Sequence, residues 1–338
     1  MTPLKNNSLL WLLLTICLIA AAVLCTAAGS VSVPAGKVLE AVGDLLAGRN
    51  SHTAYYSIIT EIRLPRVLCT ALTGAALALA GGAMQGLLRN PLADGSTLGV
   101  SSGAALGAIL AIAARFSLFE GLGTAMSAIL CAFLSLLIIM SLAYKIDCSL
   151  STNTIILIGV IFTMFAGSIT SLLITFAGDR IKTIMFWTMG SLAGSGYGDC
   201  LLLLVSLALF GAGILWHCEE LNAFSAGEEN ARHIGIDVRR VKLIILICVS
   251  GLIGASVSVG GTIGFAGLVI PHMTRLVIGA NHKRLLPACV FAGAIFLMLA
   301  DLLARVIMRP LELPIGVITS FVGSIVFVYI FYHSSRLR

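Results

Sequence analysis

The sequence predicts an all-α membrane protein of about ten transmembrane helices, and three observations carry that reading. Apolar residues make up 59% of the 338 and charged residues only 11%, against about 25% charged in an ordinary soluble domain. So few charges cannot coat a water-surrounded surface of that size. Mean hydropathy is +1.05. The apolar residues also cluster into ten windows, each of a length that suits a hydrocarbon core about 30 Å thick. The whole of 1–338 reads as one polytopic domain.

The same composition excludes several classes of function. Net charge is +6, and the basic residues sit in short connections, so a nucleic-acid surface is not expected. Six of the nine cysteines lie in apolar runs and no CxxC occurs, which reads as small buried hydrophobes. The histidines form no HExxH, so no metal site is expected. There is no GxxxxGK[ST] loop, so the chain does not bind ATP by that route. Histidines and acids do not cluster into a catalytic constellation.

The first window, 9–28, follows Lys5 and ends in small residues. That pattern fits a signal peptide or a retained first helix, and the apolar chain that follows favours the helix. A long connection leads to 66–88. At its mouth stands Arg63-Leu64-Pro65-Arg66. Proline suits a first helical turn, where its missing N–H is no loss. The two arginines read as a docking patch for an acidic partner or as interfacial anchors with snorkelling stems; spacing alone favours the anchors.

Between 66–88 and 98–114, Asn90-Pro91 breaks the helical pattern among glycines spaced as GxxxG at 82 and 86 and at 99, 103 and 107. Such spacing lets helix backbones touch. Non-helical backbone at that depth reads as a pore constriction or as a tight turn capped by Asn90, and physics does not separate the two. Windows 122–144, 154–177 and 200–216 follow. Before the last of these, Gly190, Gly194, Gly196 and Gly198 with Phe186, Trp187 and Tyr197 read as an interfacial turn with aromatic anchors.

A loop at about 217–240 holds Ser225 and Glu228 in capping-box spacing, with Gly235 placed to close a helix of about two turns. A helix that short needs something to pack on. It is either a lever seated in a partner or a surface helix on its own bundle. The windows 241–259, 262–278, 285–307 and 314–332 complete the chain. Gly264, Gly267 and Pro271 should shorten or bend the third from last, and His272 reads as an interfacial histidine. Asp301 and Arg305 share a helical face and can pair, with Glu312 just beyond. With the N-terminus inside, the inner connections hold twelve Lys and Arg against nine outside, a weak bias in the expected direction that places both termini in the cytoplasm.

Taken together, several stretches resemble the FecCD-type permeases, the membrane subunits of ABC importers for iron–siderophore complexes, haem and cobalamin. They are RLPR (63–66), GxxMQxxxxNPLAD (81–94), LGVSSGA (98–104), WTMGSL (187–192), GEENARHIG (227–235), GTIGFAGLVIPHMTR (261–275), ADLLAR (300–305) and ELPIGVIT (312–319). The resemblance departs at Gly95, Tyr197 and Ile325, where the family usually has proline, tryptophan and proline.

The resemblance implies a type II ABC importer permease, ten helices to a protomer. It pairs with a second permease subunit, identical or not, with two ABC ATPases below and an extracytoplasmic binding protein above, in the cytoplasmic membrane. ATP and Mg would sit on the ATPase, with no cofactor in this chain. Gly227, Glu228, Ala231, Arg232, Ile234 and Gly235 match the helix that couples to the ATPase. Arg63, Arg66 and Arg305 match outward arginines that meet the binding protein. Asn90 and Leu92, with Thr152 and Asn153 on a looser alignment, match a cytoplasmic gate. Iron–siderophore is the commonest cargo in the family, ahead of haem and cobalamin. An autonomous secondary transporter is the alternative from another class, with Asp301 its best support.

Overall fold

A computed structural model describes residues 7–31, 33–47, 53–114 and 122–335. Lys5, Arg49, Arg115, Arg336 and Arg338, five of the twenty-one Lys and Arg whose distribution set the expected orientation, lie outside the described residues.

The long helices in chain order are α1 Asn7–Ala27, α4 Leu64–Leu87, α5 Val100–Ala114, α6 Leu122–Ile146, α7 Thr152–Phe176, α9 Tyr197–Trp216, α12 Val238–Gly260, α13 Ala266–Ile278, α14 His282–Val306 and α15 Ile315–Ser335. Each covers one predicted window. Among the described residues, seven helices are long and apolar enough to cross a membrane, and α5, α13 and the apolar part of α15 are shorter. The shorter pieces are α2 Ala35–Leu46, α3 Ala54–Ser57, α8 Ile181–Thr188, α10 Cys218–Ser225 and α11 Glu228–His233. A π-helical turn, Ile58–Arg63, joins α3 to α4.

Burial sorts these helices. α4 and α12 are the most enclosed, whereas α1, α7 and α9 leave most of their apolar length uncovered. With no hydrophobic drive between helices in lipid, close backbone approach must supply the attraction. The glycines do this. A Cβ on Gly74 would overlap the carbonyl of Gly293 in α14, and one on Gly81 would overlap that of Gly267 in α13. Gly82 and Gly86 meet Leu286 and His282 on α14, while Gly103 and Gly107 meet α6 at Ser135 and Cys131. α1 leans on α14, with Trp11 and Phe291 rings 6.0 Å apart.

The shortened α13 has a visible cause. Gly261 at φ 67° and Phe265 at φ 65° keep 261–265 out of the helix, and Pro271 falls inside it. The unwound backbone is held by protein. The amide of Ser191 donates to Gly260 O (2.9 Å), that of Ile315 donates to Gly190 O (3.1 Å), and the Thr262 hydroxyl donates to Thr188 O. The glycine-rich stretch at 190–196 is the turn that the sequence suggested, and Tyr197 opens α9. A cavity of about 270 Å³ lies beside this segment, bounded by Ser96, Ser101, Ser256 and Phe265.

The connections gather at two ends. One end carries 88–99, 147–151, 217–237 and 279–281, and is called the loop end below. The other carries the arginines, with 28–31, 58–66 and 305–314.

Candidate functional site

At the loop end, α4 stops at Leu87 because Arg89 takes a left-handed φ of 49° and Pro91 cannot continue a helix. Asn90 closes the turn, its side-chain oxygen accepting from the Leu92 amide at 2.9 Å. The Leu92 side chain is 46% exposed. Asp94 then ties the next turn, accepting from the amides of Ser96 (2.9 Å) and Thr97 (3.1 Å).

The 217–237 loop folds into α10 and α11, which meet around Gly227 at φ 118°. Phe224, Leu221 and Ala231 are buried. Arg232, His233 and Ile234 are exposed, Ile234 by 71%. Gly235, at φ 90°, ends the helix in the left-handed turn read from the sequence. The capping box does not form. Ser225 belongs to the end of α10 and donates to Leu221 O at 3.2 Å, and Gly227 caps α11.

Glu228 is freed to turn inward, where it pairs with the Lys242 ammonium of α12 at 2.7 Å. The Lys242 side chain is fully buried and also donates to Leu150 O at 2.9 Å. The Thr152 hydroxyl donates to Glu228 Oε1 at 3.4 Å. A buried ammonium is tolerable only when paired in this way. One charge pair therefore ties α11, the 147–151 turn, the start of α7 and α12 together. Asp147 clamps that turn through the hydroxyls and amides of Ser149 and Ser151, and these bonds hold its carboxyl well below the usual carboxylate range. A groove of about 730 Å³ runs along the site between Arg89, Thr152, Asn153, Glu228 and Arg232. Thr152 and Asn153 thus share a wall with α11. Asn90 and Leu92 lie on the turn just past Arg89 and do not line the groove.

At the other end, the expectation that Arg63, Arg66 and Arg305 project outward is corrected. They are only 5%, 6% and 2% exposed. Arg63 donates to Thr26 O (3.0 Å), Ala27 O (2.8 Å) and Val31 O. Arg66 pairs with Asp301 at 2.9 Å and with Glu312 at 2.7 Å. Arg305 pairs with Asp301 at 2.9 Å and donates to Cys25 O (3.1 Å) and Ala28 O (3.2 Å). The physical reason is desolvation. Three guanidinium groups brought together at the ends of α1, α4 and α14 must find acceptors within the chain. The Asp301–Arg305 pair expected from their spacing is present, joined by Arg66.

Sequence reasoning missed three residues. Lys242 stands at the start of the 241–259 window with nothing in its spacing to mark a buried partner, and Leu150 gives no signal because only its carbonyl acts. Glu312 was placed just outside the pair, yet it is the second carboxylate of the cluster. Among the described residues no group of His, Cys, Asp and Glu is placed to hold a metal ion.

The model of the FecCD transport family matches residues 14–333. The chain is 43% identical over 284 residues to the ABC transporter permease protein YvrB of Bacillus subtilis (strain 168), covering 83% of this chain and 80% of that protein. It is 40% identical over 276 residues to the cobalamin import system permease protein BtuC of Halobacterium salinarum, covering 81% and 73%. It is 34% identical over 337 residues to the vitamin B12 import system permease protein BtuC of Salmonella typhi, covering 98% of each. Among solved structures, an inward-facing metal-chelate type ABC transporter superposes with a TM-score of 0.83 at 31% identity, covering 95% of this chain and 97% of that one.

Proposed function

This chain belongs to the FecCD transport family and is an ABC importer permease, and we propose that its cargo is a metal chelate of the corrinoid class. Two of the relatives named above are cobalamin permeases, one of them similar along 98% of both chains. That favours cobalamin over the iron–siderophore complex that the family resemblance alone puts first. Cobalamin is itself a metal chelate, in keeping with the metal-chelate type of the structural neighbour.

In this reading the permease works as one half of a dimer, with two ABC ATPases at the loop end and a binding protein at the arginine end. The loop end and both termini then face the cytoplasm. MgATP is bound and hydrolysed by the ATPase. This chain supplies the path and the lever.

The observation that carries the mechanism is the Glu228–Lys242 pair. α11 offers Arg232, His233 and Ile234 to a partner while Glu228 grips α12 and the start of α7. A displacement of α11 by the ATPase would then move α7 and α12 directly. Asn153 shares their wall, and Asn90 and Leu92 sit on the turn beside it, which suits a cytoplasmic gate that opens as the lever moves. Coupling of this kind requires a contiguous element with two arrangements that the ATPase biases differently. The path itself needs no tight cargo site, since affinity for one state would only trap the cargo there.

The test is uptake into proteoliposomes containing the permease, its ATPase and its binding protein. ATP-dependent accumulation of labelled cobalamin, unmatched by a ferric siderophore, is the expected result. Uptake of the siderophore alone would reverse the cargo assignment, and accumulation without the ATPase would overturn the importer mechanism.

A further inference from the structure

Two cysteines outside the lever and the arginine cluster meet between α4 and α9. Cys69 lies just after Pro65 and Arg66 in α4, and Cys200 lies in the first turn of α9. They are 131 residues apart in the chain, yet their Sγ atoms stand 2.8 Å apart. Both side chains are buried, Cys69 at 0% and Cys200 at 8% exposure. A disulfide requires an S–S distance of about 2.05 Å, so closing the bond takes a movement of less than about 1 Å.

The surrounding contacts hold the crossing in place on both sides of the pair. Cys200 Sγ donates to Pro65 O at 3.2 Å, and Cys69 Sγ approaches Gly196 O at 3.6 Å. The Tyr197 hydroxyl donates to Thr60 O at 2.6 Å. The start of α9 is thus fastened to 60–69 at several points. Two sulfurs held this close between fastened helices are placed to bond with little movement of the side chains.

We propose that Cys69 and Cys200 are a reversible cross-linking site, forming a disulfide that staples the start of α4 to the start of α9 beside the arginine cluster. The oxidant is a low-molecular-weight disulfide of the glutathione type. Cys200, the more exposed of the two, attacks it as thiolate, forms a mixed disulfide and expels one small thiol. The Cys69 thiolate then displaces the second small thiol and the protein disulfide closes. Both protein sulfurs lose a proton, two electrons pass to the oxidant, and the oxidant leaves as two thiols. In the proposed orientation this end faces the outer side, where such bonds persist; the outer location rests on the functional reading, whereas the pairing does not.

The experiment uses the full chain in detergent, reduced, desalted and exposed to oxidised glutathione. Remaining thiols are alkylated in denaturant and the digest is mapped by mass spectrometry. The expected result is a linked peptide pair holding Cys69 and Cys200, with two fewer alkylated thiols than the nine cysteines of the chain. Cys69→Ser should leave Cys200 alkylated, and Cys200→Ser should leave Cys69 alkylated. Full alkylation of the oxidised wild-type chain, or a link from either cysteine to a different one, overturns the proposal. The same map on chain taken from native membranes without reductant reads the orientation. A link already present supports an outer location. A link that forms only in the tube upholds the pair and counts against that location.

Discussion

Asp301 faces two guanidinium groups, and its side chain is only 1% exposed. Removing one partner from a buried ion pair leaves the other charge without compensation, at a cost of about 3–5 kcal/mol. Asp301→Asn is therefore expected to lower the thermal midpoint of the detergent-solubilised chain, measured by size exclusion after heating. Adding Arg305→Gln should recover part of the loss, because Arg66 keeps Glu312. Equal midpoints for Asp301→Asn and wild type would show that the cluster contributes nothing. Glu312 makes a second prediction at this scale. Burial raises its pKa most, yet the hydrogen bond and charge of Arg66 outweigh burial and hold the carboxyl below the usual range. A lowered folded value means that its stabilisation is complete above the unfolded value of about 4.3 and is lost as pH falls through the folded one. Acid should lower the wild-type midpoint more than that of Glu312→Gln; parallel pH curves would remove Glu312 from the account.

At the scale of elements, glycine contacts decide which helices can touch. Gly81→Val would drive a side chain into the Gly267 carbonyl and separate α4 from α13. No rotamer escapes a clash that involves Cβ itself. The variant should fail to yield a monodisperse peak, whereas Gly36→Ala, with open space around it, should behave as wild type. In the proposed lever, the short α11 divides docking from transmission along its length. Ile234 is exposed and bears no fold, so Ile234→Asp should leave the chain folded yet weaken capture of the ATPase by about tenfold or more in co-purification. Glu228→Gln should retain much of the capture and lose ATP-driven uptake, because the strut to Lys242 is weakened while the docking face stays. Capture and uptake falling in parallel in both variants would deny that division.

For the whole molecule, the charge arrangement separates the two ends. The loop end joins α11 to α7 and α12 through one ion pair, and the arginine end joins α1, α4 and α14 through another cluster. Between them the enclosed helices α4 and α12 carry the packing, while α7 and α9 stay largely uncovered. The two ends of the bundle are therefore each fastened internally. This division suits a transporter whose ends move as units.

Hydropathy and glycine spacing by themselves determined the all-helical membrane fold, the place of every long helix and the shortening of α13. These are local properties, because each span must satisfy its own backbone in lipid. The sequence motifs also determined the family, and the left-handed close at Gly235 was legible because only glycine fits there cheaply. The Asp301–Arg305 pair was legible from its spacing; tertiary structure alone decided the other partners of the charges. Arg63 and Arg66 look like outward cations in RLPR until α1 and α14 supply acceptors for them. Glu228 looks like a cap until Lys242, fourteen residues on, offers a buried charge. Cys69 looks like a small buried hydrophobe until α4 and α9 cross and bring Cys200 against it. Pairings of this kind depend on distances between segments far apart in the chain, and no spacing along the sequence encodes them.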